Sequence, residues 1–251
     1  MFPTIKYIFL TAFRDRLYQV LFAVILITFF FSRFIGSVSL VEENAATTIF
    51  FINSFRLLLV LGISIFTCLH ISRLFDNKEM EMLISKPINP FVFVLSLFLG
   101  YWLVSIFFVL GAVLLLFMES HNYEGIIIWG VSVFFEIGIL TAFALFVSVI
   151  LKSPIISILA SLAFYTTSRM IGFFLYFTER TYSIKYSTVD YLTHKFIYFV
   201  SAILPRLDNF SKSSWVISND FSLAELAIIQ AVIFVPFILF MTVFDLKRKE
   251  F

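Results

Sequence analysis

The chain has 251 residues, 61% of them hydrophobic and 14% charged, with a formal net charge of +2. A soluble domain runs about 45–50% apolar and about 25% charged, so this composition, with a mean hydropathy of +1.02, excludes a water-soluble globular protein and a disordered one. It also argues against a membrane β-barrel, whose strands alternate and carry a polar lumen face.

The expected fold is therefore all-α: a polytopic membrane protein. At about 20 residues per span, six or seven helices nearly use up the chain. No room is left for a soluble catalytic domain, and the charge is too small to imply nucleic acid. The lone Cys68 excludes an intrachain disulfide or a thiolate metal cage.

In chain order, Ile5, Ile8, Phe9, Ala12 and Phe13 recur at helical spacing, with Lys6, Arg14, Asp15 and Arg16 at the flanks. That pattern predicts a helix over residues 1–16 lying in the cytoplasmic interface. The apolar run that follows has no small-x-small cleavage site, so it reads as a span and not as a cleaved signal. The first span starts at Leu17, is uncharged to Ser32 and continues past Arg33 to Val41. The second runs from Thr48 to Ser72 with Arg56 inside, and the third from Phe91 to Met118 without any Asp, Glu, Lys or Arg. The fourth is Ile126 to Leu151 with Glu136 inside, the fifth Pro154 to Phe177 with Arg169 inside, and the sixth Leu223 to Phe244. Each is long enough for a hydrocarbon core of roughly 30 Å, and backbone satisfaction in lipid makes each a helix. Val189 to Leu204 carries Asp190, His194 and Lys195 early, and its clean apolar part is too short to span. It reads as a re-entrant or interfacial helix within an external segment, residues 178–222.

Charge orients the spans. With the N-terminus in the cytoplasm, the inside segments carry Lys6, Arg14, Arg16, Arg73, Lys78, Lys86, Lys152, Lys247, Arg248 and Lys249. The short outer loops carry Glu42, Glu43, Glu119 and Glu124 and no cation, as the positive-inside rule requires. The external segment fits this less well, with Arg180, Lys185, Lys195, Arg206 and Lys212. Six spans are preferred because seven would put the basic C-terminal tail outside. Both termini are then cytoplasmic, and a multi-pass protein of a bacterial inner membrane is expected.

There is no Gly-x-x-x-x-Gly-Lys-Ser/Thr loop for nucleotide phosphates, no His-Glu-x-x-His and no Gly-x-Ser-x-Gly. His70, His121 and His194 fall in different connections or span ends, so no shared metal site is expected and they read as interfacial.

The connection between the second and third spans, residues 73–90, is the most informative segment. Its predicted helical centre, Asp76 to Ser85, puts acid first and Lys86 last, in keeping with the helix dipole. Pro87 stops it, and Asn89-Pro90 resets direction. Met80, Leu83 and Ile84 form a small apolar face with Met82 beside it. Such a helix suits docking of a partner; a solvated loop helix is the equally weighted alternative.

This connection resembles that of the permease subunits of the ABC type-2 exporter family. They carry an acidic residue here, then a Glu-Leu-Leu-type helix ending in Ser-Arg/Lys-Pro-Ile. The corresponding residues are Asp76 and Glu81-Met82-Leu83-Ile84-Ser85-Lys86-Pro87-Ile88. The likeness extends in layout to the N-terminal helix, the six spans, the short turn at Lys152-Ser153-Pro154 and the Leu204-Pro205 step. The family commonly has Gly before the loop helix, where this chain has Lys78 or Glu79. The resemblance implies a permease subunit that moves a substrate across or out of the membrane, without an ATPase site or bound cofactor of its own. ATP and Mg would be held by a separate cytoplasmic ATPase subunit. It would couple through Asp76, Glu79, Met80, Glu81, Met82, Leu83, Ile84, Lys86 and Pro87. A second permease copy, giving a homodimer, is the other implied partner besides the lipid bilayer.

Arg33, Arg56, Glu136 and Arg169 form an intramembrane charge layer. Each lies about 22–24 Å from the cytoplasmic end of its span at about 1.5 Å per residue. A lone charge there costs roughly 2.5–3.5 kcal/mol, so pairing is expected. Glu136 and Arg169 flank one tight turn at matching heights and are the expected pair. For Arg33 and Arg56, snorkelling to outer headgroups is favoured over an anion-attracting layer for a substrate phosphate or carboxylate. The 36 Phe read as ordinary packing and lipid-facing residues ahead of a cavity for an apolar substrate. An intramembrane enzyme acting on a lipid, with Glu136 as acid/base and the arginines on a headgroup, is the competing reading. No convergent nucleophile–base pair supports it.

Overall fold

The structure, a computed structural model, describes residues 2–39, 43–77, 89–120, 122–184, 188–218, 221 and 223–248. Among these residues all regular structure is helical: α1 Phe2–Arg14, α2 Arg16–Val38, α3 Glu43–Asp76, α4 Pro90–Glu119, α5 Tyr123–Leu151, α6 Pro154–Ile184, α7 Thr188–Ile203, a 3-10 turn Leu207–Asn209, α8 Ser213–Ser218 and α9 Ala224–Arg248. Six of these helices, α2 to α6 and α9, are long and apolar enough to cross a membrane, which marks a multi-pass membrane protein.

Local chemistry sets the boundaries. Asp15 separates α1 from α2 and caps the latter, its carboxylate accepting from Leu17 N at 2.9 Å. Asn89 caps α4 through Phe91 N at 3.0 Å, and Pro90 takes the first turn, where a missing N–H costs nothing. Lys152 ends α5 in the left-handed region at φ 56°, and Pro154 begins α6 two residues later. So short a turn makes α5 and α6 antiparallel neighbours. α3 runs on to Asp76, past the expected end at Ser72. Arg73, expected in the connection, and Asp76, expected to open the loop helix, thus both belong to α3. Arg73 suits the negative end of the α3 dipole and stands 3.8 Å from Asp15. The rest of the expected coupling helix, Glu79, Met80, Glu81, Met82, Leu83, Ile84, Lys86 and Pro87, lies outside the described residues.

α5 is the hub. It packs against α3, α4, α6, α8 and α9, and its most apolar stretch is 72% buried, against 28% for that of α2. α2 lies on α3, and α1 lies across α4 with Ile8 and Ala12 buried. α7 packs on α6 and keeps Leu192, Phe196 and Phe199 exposed. At another level of the bundle His70, expected to be interfacial, is buried, its Nδ1 2.6 Å from the Tyr101 hydroxyl and its ring stacked on Phe66. Closure of the bundle around aromatic side chains provides that partner.

Candidate functional site

Three spans point polar side chains at one level. On α5, Ser132 and Glu136 are four residues apart and share a face; on α6, Tyr165 and Arg169 do the same. α3 contributes Arg56. Glu136 lies 16 residues before Lys152 and Arg169 17 residues after it, so the two reach nearly the same height at about 1.5 Å per residue.

Glu136 is fully buried. Its Oε1 accepts from the Tyr165 hydroxyl at 3.0 Å, and Arg169 Nη1 stands 3.6 Å from the same oxygen. Its Oε2 accepts from the Ser211 hydroxyl. The expected Glu136–Arg169 pair is therefore present, and it has a third party. Arg169 Nη1 also donates to the carbonyls of Leu207 and Phe210, the latter at 2.9 Å. Ser211 N donates to Ser132 Oγ at 3.1 Å, and Arg56 Nη1 donates to Ser211 O at 3.3 Å. An irregular segment of the expected external stretch, residues 207–211, is thereby tied to α3, α5 and α6. Its contact residues Ser132 and Glu136 lie about 14–20 Å along α5 from Tyr123, close to the middle of that helix.

The sequence reading placed residues 178–222 outside; within that stretch, residues 207–211 are packed into the helix bundle. Leu207, Phe210 and Trp215 are all fully buried and fill the space between the helices. Backbone carbonyls taken out of water need donors, and the two arginines supply them. Ser211 has φ 52°, an uncommon conformation for a residue with a side chain. Bonds through its N–H, hydroxyl and carbonyl hold it there. Two glycines admit the segment. A Cβ on Gly172 would overlap the Asp208 carboxylate, and one on Gly125 the Trp215 carbonyl. Asn122 pins the far end: its Oδ1 caps α5 at Gly125 N, and its Nδ2 donates to the carbonyls of Trp215 and Val216 at 3.2 and 2.8 Å.

Of the four charges read from the sequence, Arg56, Glu136 and Arg169 converge and Arg33 does not. Arg33 instead stands 3.2 Å from Glu119 at the end of α4, with 62% of its side chain exposed. The sequence reading missed Ser132, Tyr165, Asn122 and Ser211. The i, i+4 spacing of Ser132 with Glu136 and of Tyr165 with Arg169 was an available signal; Ser211 had none. The cluster is a polar knot in which both oxygens of Glu136 are bonded and positive charge is in surplus. No family model matches this chain, and no curated protein and no solved structure matches it.

Proposed function

We propose that this chain is the membrane-spanning permease subunit of an ATP-binding-cassette exporter of the type-2 kind. One observation carries the reading: the Glu81-Met82-Leu83-Ile84-Ser85-Lys86-Pro87-Ile88 motif falls in the connection between the second and third of six span-length helices. The helix α1 packed on the bundle and the tight α5–α6 turn agree with it. In this reading a separate ATPase binds ATP and Mg, and the loop carries its stroke into α3 and α4. Two permease copies pair in an inner membrane with both termini cytoplasmic. Transport is a population shift between inward- and outward-facing states, driven by the differential affinity of the ATP-bound ATPase. The competing enzyme reading is weakened by Glu136, which is fully buried and has both oxygens bonded within the chain.

The test is copurification of the tagged full chain from its native membranes. A P-loop ATPase should accompany it, and Met82→Glu with Leu83→Glu should release that ATPase while the chain stays membrane-inserted. No nucleotide-binding partner, or undiminished copurification with the variant, would sink the reading. Topology is tested by cysteines at Ser187 and Ser213 in a Cys68→Ser background. Both should react with an impermeant thiol reagent from outside; opposite accessibilities would mean a seventh span.

A further inference from the structure

Beside the polar knot lies a cavity of about 290 Å³ lined by Asn53, Arg56, Arg169, Ser211, Lys212, Ser213 and Ser214. Three cations face one small space. The carboxylate paired with Arg169, Glu136, is fully buried and is consumed by Tyr165, Ser211 and Arg169 itself. Three positive charges against one negative leave +2. Among the described residues no carboxylate lies within ion-pair distance of Arg56 or Lys212. Donors are also left over. All the bonds of Arg169 run through Nη1, and a guanidinium has five N–H groups. Arg56 holds Ser211 O and Asn53 Oδ1 at 3.3 Å each.

A second cavity of about 700 Å³ adjoins the first and shares Asn53 and Arg56 with it. Its other walls are mainly apolar, from Ile35 on α2 and Ala46, Ile49, Phe50 and Leu57 on α3. Ile49 and Leu57 are exposed, so this groove opens on the outer surface of the bundle. A cationic pocket thus continues into an apolar groove, with Arg56 at the junction.

From this juxtaposition we infer that the chain binds an anionic amphiphile, with a phosphomonoester headgroup among Arg56, Arg169 and Lys212 and an acyl chain in the α2–α3 groove. The pocket volume falls at the low end for ligand sites, about 300–1,000 Å³, which suits a headgroup and not a whole lipid. A phosphomonoester carries about −1.5 to −2 at pH 7, and this matches the local excess better than a carboxylate or a phosphodiester. Guanidinium forks fit phosphate oxygens in bidentate fashion, and lysine adds a point charge. The site stands whether or not the chain is a transport subunit.

The test is native mass spectrometry of the full chain in detergent, titrated separately with phosphatidic acid, phosphatidylglycerol, phosphatidylcholine and water-soluble glycerol 3-phosphate. Phosphatidic acid should bind most tightly and phosphatidylcholine least. Arg56→Gln and Lys212→Gln should each weaken phosphatidic acid by about tenfold or more. Arg33→Gln, outside both cavities, should leave it unchanged. Ser213→Asp keeps every cation and should weaken binding by adding a negative charge, which separates the inference from any misfolding of the arginine variant. Equal binding of all three lipids, or an undiminished phosphatidic acid preference in Lys212→Gln and Ser213→Asp, would overturn the site. Glycerol 3-phosphate binding as tightly as the lipid would overturn the part assigned to the apolar groove.

Discussion

Two ion pairs in this protein look alike on distance and in their buried carboxylates, and differ in the exposure of the arginine and in what else is bonded to them. Arg33 and Glu119 approach to 3.2 Å, closer than the 3.6 Å of Arg169 and Glu136. Yet Arg33 is 62% exposed, so water can take its place beside Glu119, whose side chain is 8% exposed. The longer pair is buried at Glu136, bonded a second time to α6 through Tyr165, and tied through Ser211 and the carbonyls of Leu207 and Phe210 to the 207–211 segment. Burial and the number of groups left unsatisfied on removal decide what a pair is worth, and separation does not.

The comparison is broken most directly at Glu136. Glu136→Gln leaves Arg169 without its counter-charge; loss of one partner of a buried pair costs about 3–5 kcal/mol, and the 23% exposure of Arg169 puts this case toward the lower figure. Glu136→Gln combined with Arg169→Gln should cost less than the sum of the single changes. A double-mutant cycle on thermal unfolding in detergent measures that coupling. Strictly additive effects would falsify the energetic pairing.

Next in size is the entry of the 207–211 segment. Gly172→Leu places a side chain where the Asp208 carboxylate lies, and overpacking of this kind costs about 1–3 kcal/mol. It should also open residues 207–211 to hydrogen exchange; unchanged protection there would show that the segment is held without α6. Ser211→Ala keeps the backbone bonds to Ser132 and Arg56 but removes the hydroxyl from Glu136. The expected loss is about 1.5–3 kcal/mol, the range for a hydrogen bond to a charged group, read as a lowered melting temperature.

Asn122→Ala should cost about 0.5–2 kcal/mol for the lost cap of α5 and expose Trp215. A red shift of tryptophan emission reports the second effect separately from stability. The smallest change is expected at the rim pair: Arg33→Gln should alter stability by no more than about 1 kcal/mol. A loss as large as that of Glu136→Gln would erase the distinction drawn between the two pairs.

The sequence by itself determined the six spans, because lipid offers no water to backbone groups and every predominantly apolar stretch of sufficient length is driven to form a helix. It determined the α5–α6 turn and, through the rise per residue, the matching heights of Glu136 and Arg169. These are local rules, read from residues near one another in the chain. Tertiary structure decided which span is central. In a membrane both a packed helix and a lipid-facing one are apolar all round, so α5 and α2 look alike until their neighbours are known. It also decided that Leu207, Phe210 and Ser211 are buried in the bundle, while Arg206 and Lys212 beside them are only half-buried. An irregular segment can leave water only where remote donors meet its carbonyls, and Arg56, Arg169 and Ser132 come together from three helices to do so.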